Sequence, residues 1–417
     1  MKKCFILLAL MCAISFATPV SDHGKLSVDG RWIKDQNGNV YVLRGMSMYW
    51  NRTDWPGGKF YKQSTVNEIA GSNWNANLVR AAIGNGNLQD AKSFMDWTNT
   101  AGIYVIVDWH VHDMNLNSAR DFFYAVAKHA KENGYIHVLY EIFNEPISQS
   151  WSSIKSDAEN LIEVIRSQDP DGLIIVGTPK YSADIDAARE NPISESKAKN
   201  VLYTFHFYSS DAAHVSYKQR VRKAWCNNFP VFVSEFGTST SDGGKGTSID
   251  RGKTDDWMGL IESMGLSWAN WSLSDANESS AALKNGCCSG GAFNNSNLSE
   301  SGQYIQNIMK KRNIGGDISS AGLTAQFIQE CPDDPTTGVH ETVLQNPKLH
   351  FFDLSGRDLL LQSGGDLEIY SLQGKRVVFF AGKQQGETIS LQNLPTGAYI
   401  AVLRKSGQAH SKTIYLK

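Results

Sequence analysis

At 417 residues, with 41% hydrophobic content and a formal net charge of −2, the chain has room for one large barrel plus a small module. The near-neutral balance removes any electrostatic basis for binding nucleic acid or an anionic membrane. Eleven Trp and fifteen Tyr are more informative, because exposed rings suit flat apolar faces such as pyranose rings.

The N-terminus reads as a targeting segment. Lys2 and Lys3 precede an apolar run, Phe5–Ile14, which ends in Ser15-Phe16-Ala17. A basic start, a short apolar core and a small-residue site predict a signal peptide, residues 1–17, and an exported protein. The run is too short to span a bilayer as a mature helix. Cleavage removes Cys4 and Cys12 and leaves Cys226, Cys287, Cys288 and Cys331. In an oxidising compartment these predict one or two disulfides, with three pairings open. Adjacent Cys287 and Cys288 are not expected to bond to each other without strain.

Polar turns around residues 22–38 predict a small hairpin closing one end of a barrel. Eight apolar runs follow: 40–45, 76–83, 103–110, 138–145, 173–177, 201–208, 231–237 and 266–273. Segments of helical spacing separate most of them, among them 88–99, 118–133 and 153–168. Strand–helix alternation repeated eight times predicts an α/β fold, a (β/α)8 barrel over residues 22–314. An open doubly wound sheet would carry a glycine fingerprint after its first strand, and this chain has none there.

Polar side chains collect at the C-terminal ends of these runs, where such barrels keep their chemistry. Arg80, Asp108, His110, Asn144, Glu145, His206, Tyr208, Glu235 and Trp271 all fall near such ends. Ionisable groups cost free energy to bury unless paired or used, so their convergence points to a site. Glu145 and Glu235, on the fourth and seventh runs, face each other across the mouth. A carboxylate pair in unlike environments is what glycosidic cleavage requires, one protonated to release the leaving oxygen and one ionised to attack or to activate water. Arg80 and Tyr208 are the donors expected to hold Glu235 ionised. Asn144 is expected to donate to a sugar hydroxyl, and Trp271 to form a stacking floor. Trp268 and Trp271 lie three residues apart on one strand, so one of them is expected to be packing. Asp108-Trp109-His110-Val111-His112 contains a His-x-His, yet no second ligand pair appears at the ends of the fifth and eighth runs, so neither metal nor cofactor is expected.

These motifs resemble glycoside hydrolase family 5, in its bacterial endoglucanase branch, over residues 24–310. The resemblance rests on Leu43-Arg44-Gly45-Met46-Ser47, Val79-Arg80-Ala81-Ala82, Val105–His110, Tyr140–Pro146, His206-Phe207-Tyr208, Val233–Thr238 and Ser267–Leu273. It implies that Glu145 is the acid/base and Glu235 the nucleophile. Arg80, His110, Asn144, His206, Tyr208, Trp271, Glu278, Tyr49 and Trp50 would bind substrate. The implied activity is a retaining endo-β-1,4-glucanase acting on cellulose or related β-glucans. A mannanase, a xyloglucanase or a non-catalytic glucan-binding surface protein are the alternatives. Ala276 stands where relatives commonly place a Lys, and Tyr49 lies near a common His position.

Residues 315–340, with Gly315-Gly316 and Pro332–Gly338, read as linker. Residues 341–417 carry six or seven short alternating strands with Gly turns, which predicts a small β-sandwich. Tyr370–Lys375, Leu394–Tyr399 and the final strand resemble the C-terminal sorting domains of the type IX secretion pathway. That implies a Gram-negative source, secretion machinery as partner, and a secreted or cell-surface location. All eleven Trp lie before residue 272, which argues against a carbohydrate-binding tail.

Overall fold

The computed structural model describes residues 17–52, 54–245, 248–311 and 352–416, apart from 356, 362–363, 372–375 and 406–407. Residues 1–16 of the signal segment, the whole linker and Cys331 lie outside them. The chain divides into two compact units at residues 331 and 332.

The first unit is a closed barrel of eight parallel strands: β1 (Arg44–Met48), β2 (Leu78–Ile83), β3 (Tyr104–Trp109), β4 (Val138–Glu141), β5 (Leu173–Val176), β6 (Val201–Tyr208), β7 (Val231–Gly237) and β8 (Trp268–Leu273). β8 closes on β1, with Trp268 opposite Arg44. All eight are buried along their length, which is why they read as apolar runs without alternation. Helices between them start and stop on local chemistry. Asn115 caps Leu116–Asn133 by accepting from the Ser118 amide, and Gly134, at φ 65°, ends it.

The hairpin forms from Ser27–Asp29 and Trp32–Lys34. Leu26 and Ile33 join Leu43, Tyr104, Ile106 and Phe232 in one apolar cluster, so the hairpin plugs the N-terminal end of the barrel. Six strands differ from their expected limits, four by only one or two residues at an end and two by more. The first run was expected to pair over residues 40–45, but Tyr41 stacks on His23 at 3.8 Å and the ladder starts only at Arg44. The fourth was expected to reach residue 145, but β4 ends at Glu141. After Ile142 bonds to Ile175, the amides of Asn144 and Glu145 turn back to the carbonyls of Trp109 and Val111. The two side chains therefore stand on a loop that leans over β3.

Among its described residues the second unit has seven strands in two antiparallel sheets. β9 (Phe352–Ser355), β10 (Asp358–Leu361) and β13 (Thr388–Ser390) form one; β12 (Arg376–Lys383), β11 (Gly365–Ser371), β14 (Gly397–Lys405) and β15 (Gln408–Leu416) form the other. Leu359, Leu361 and Ile389 from the first sheet share a core with Leu367, Ile369, Ala401, Leu403 and Ile414 from the second. That is a small sandwich.

Cys287 and Cys288 are bonded to each other, contrary to expectation, with Cα atoms 3.8 Å apart. The spacing is what any trans peptide imposes. The surrounding loop holds the pair in place: Cys288 N–H donates to Asp275 at 3.1 Å, and Asp275 receives Lys59 at 2.7 Å. Among the described residues no helix is long and apolar enough to cross a membrane.

Candidate active site

Arg80 is the hub. It lies near the middle of β2, fully buried, and spends its whole guanidinium on the barrel mouth. Nε and Nη2 donate to Glu141 at 2.7 and 3.2 Å, Nη1 to Glu235 at 2.9 Å and to Ser47 at 3.1 Å, and Nη2 to Asn144 at 2.6 Å. Asp108 stands 3.0 Å from Nη2. One cation thus serves three buried carboxylates. An Arg that served only a structural pair would not reach the ends of four strands.

Glu235, near the end of β7, receives the Tyr208 hydroxyl at 2.8 Å on the oxygen that Arg80 does not hold. Both expected donors are in place. Burial, followed by the neighbouring Glu235 charge, pushes the Tyr208 phenol well up, so it stays a donor. Glu145 meets His206, whose Nδ1 lies 2.9 Å from its carboxylate. His206 Nε2 lies 3.0 Å from Ser234, and that hydroxyl donates onward to Glu141 at 2.7 Å. Single oxygens of Glu145 and Glu235 and a ring nitrogen of His206 all lie within 4.8 Å of one another.

The electrostatics of this group depart from a simple protonated Glu145. Burial raises its carboxyl, but the hydrogen bond and charge of His206 outweigh that and hold it below the usual range. Burial pulls His206 down, yet the carboxylates of Glu141, 3.8 Å away, and of hydrogen-bonded Glu145 outweigh it and lift the imidazole to about 9. Glu145 and His206 therefore hold one proton between them, resting on the ring. A protonated imidazole offers no lone pair to a metal, and both His206 nitrogens are already engaged.

Asn144 presents Oδ1 to Arg80, which leaves its amide N–H₂ as the donor end. His110 bonds Asp108 at 2.7 Å through Nδ1 and stacks on Trp271 with ring centres 5.3 Å apart. Trp50 meets His110 edge-on at 4.3 Å. Tyr49 donates to Glu278 at 3.1 Å, and burial raises the Glu278 carboxyl. Tyr49, Trp50, Tyr208, Trp271 and Ala82 form a separate apolar patch at the mouth. All twelve site candidates singled out from the sequence, Asp108 included, converge here. His112, the second His of the His-x-His, turns to the backbone carbonyl of Glu145 at 3.3 Å. Trp268 is the packing member of its pair, fully buried with its indole N–H on Glu262 at 2.6 Å.

Sequence reasoning passed over Glu141, Ser234 and Ser47. Glu141 had a legible signal: a carboxylate inside the apolar run Val138-Leu139-Tyr140 must be paired if that run is a barrel strand.

The sequence model described as cellulase, glycosyl hydrolase family 5, matches residues 34–277. Endoglucanase Z of Dickeya dadantii (strain 3937) is 34% identical over 352 residues, 79% of this chain and 77% of that protein. Endoglucanase N of Pectobacterium atrosepticum is 33% identical over 344 residues, 79% of this chain and 75% of that one. Among solved structures, a Cytophaga hutchinsonii protein gives a TM-score of 0.66 at 30% identity, covering 72% of this chain and 98% of that one. The catalytic domain of Thermobifida fusca endoglucanase Cel5A gives 0.64 at 34%, covering 70% and 100%. That domain has also been solved in complex with cellotetraose.

Proposed function

Because the chain belongs to glycosyl hydrolase family 5, the cellulase family, and is an endoglucanase by that kinship, we propose that Glu145 and Glu235 carry out its retaining double displacement. Glu235 attacks the anomeric carbon and forms a glycosyl ester. Glu145 gives the proton shared with His206 to the departing glycosidic oxygen. Water then enters: Glu145 takes its proton, the hydroxide oxygen joins the anomeric carbon, and the ester bond to Glu235 breaks.

The approach of the two carboxylates within 4.8 Å is the observation that supports this reading most strongly. Inverting enzymes need roughly 6.5–9.5 Å to seat a water between them, and retaining ones about 5–5.5 Å. Forming the ester removes the Glu235 charge, one of the influences raising His206. The pair then releases its proton more readily, as its switch to base requires.

The substrate is a β-1,4-glucan chain, cellulose or a related β-glucan, laid across Trp50 and Trp271. Tyr49, Glu278, His110, Asn144 and Arg80 line its path. Export through the 1–17 segment and surface delivery through the C-terminal sandwich complete the proposal, supported by the sequence features of each. Glu235→Gln tests the chemistry: turnover of soluble glucan should vanish while the fold is kept, and near wild-type cleavage would defeat the assignment.

A further inference from the structure

The donor inventory around Arg80 is unequal. Glu141 receives Arg80 Nε and Nη2 and the Ser234 hydroxyl, spread over both oxygens. Glu235 receives Arg80 Nη1 on one oxygen and Tyr208 on the other. Asp108 is different. Its Oδ2 alone faces Arg80 Nη2, at 3.0 Å, and His110 Nδ1, at 2.7 Å, while its buried Oδ1 has no hydrogen-bond partner. A buried anion with one bare oxygen is costly, and the cluster already holds more carboxylates than cations. Of these acids, Asp108 is the one the surroundings least support as an anion. Burial, against Arg80, raises it well above the usual range.

His110 has to fit the same site. Burial and the Arg80 charge push it down to about 3, so the ring is neutral and one nitrogen is bare. Both N–H groups of Arg80 Nη2 go to Glu141 and Asn144, so Oδ2 meets that guanidinium through charge alone and is free to donate its own proton to the ring nitrogen. The ring makes no hydrogen bond through Nε2 to the described residues. Held between Trp50 and Trp271, it has only the cleft to serve with that nitrogen.

We propose that Asp108 is a positioning residue: its carboxylic O–H donates to Nδ1 of His110 and fixes the imidazole as the tautomer whose Nε2–H faces a hydroxyl of the bound sugar. This rests on the glucan-cleaving reading of the site, but its test is spectroscopic and needs no substrate. A neutral donor there orients the sugar without adding charge beside the Glu235 nucleophile.

In ¹⁵N-labelled full-length protein near neutral pH, with His110 assigned through His110→Gln, Nδ1 should show as a bare acceptor and Nε2 as protonated. Isotope-edited infrared spectra with labelled Asp should contain a carboxylic-acid band that Asp108→Asn abolishes. In Asp108→Ala, checked for fold by circular dichroism, the single tautomer should give way to a mixture. A protonated Nδ1 in the wild type, absence of that infrared band, or an unchanged tautomer in a folded Asp108→Ala protein would each overturn the proposal. Failure of the Glu235→Gln test would instead overturn the reaction and leave these spectra as they are.

Discussion

Arg80 donates to Glu235 at 2.9 Å and to Glu141 at 2.7 Å, so one buried guanidinium ties the end of β7 to the end of β4. Lys is one point charge and cannot repeat a fork of five N–H groups. Arg80→Lys should lower kcat by about 10²–10³-fold, the usual cost of losing an aligned donor at a reacting centre. Stability should fall as well, since Glu141 loses its bidentate partner. Steady-state kinetics and denaturant melts check the two effects separately.

His206 sets a pH prediction. Its folded pKa of about 9 stands above the ordinary 6.5, so its stabilisation is complete below 6.5 and is lost as pH rises through about 9. The groups facing it are Glu141, Glu145, Glu235 and the Ser234 hydroxyl. Melting temperature should therefore decline between pH 6.5 and 9. The alkaline limb of kcat/KM should lie in the same range, because the pair there loses the proton it delivers. His206→Gln should flatten the stability change and move the limb; an unmoved limb would mean that another group supplies the proton.

Gly237 is a steric prediction. A Cβ there would lie 2.2 Å from the ring of Tyr208, so the ring has to shift. Gly237→Ala should push the Tyr208 hydroxyl off Glu235 and lower kcat about as far as Tyr208→Phe does. Wild-type turnover in Gly237→Ala would show that the Tyr208 contact is dispensable.

Away from the chemistry, Arg44 and Glu262 form a buried pair through Nε and Nη2, at 3.0 and 2.8 Å. Glu262→Ala strands the guanidinium and should cost about 3–5 kcal/mol in unfolding free energy. At temperatures where the variant stays folded, kcat should be unchanged.

How much of this was readable in advance follows from burial. Strands covered on both faces leave unbroken apolar runs, and β6 and β7 match their expected limits of 201–208 and 231–237. Glu235 and Tyr208, side by side at the ends of those strands, were therefore placed correctly. The run ending at Pro146 was less faithful, because Ile142-Phe143 is as apolar as a strand, while only the Ile142 amide stays on β5 and those of Asn144 and Glu145 cross to Trp109 and Val111. Glu141 lies inside the same apolar run, where the sharper strand-end signal of Asn144-Glu145-Pro146 masks it. In the tail, β13 spans only Thr388–Ser390, too short for period-two alternation to register. Nothing in residue order reveals that His206 holds the proton expected on Glu145. That depends on a 2.9 Å contact between residues 61 positions apart.

The central claim is a double displacement through Glu145 and Glu235. Proton NMR of a cello-oligosaccharide digest, recorded before mutarotation, reads the anomer first released. The account predicts the β-anomer, the configuration of the bond that was cut. First release of the α-anomer would mean inversion and would contradict it.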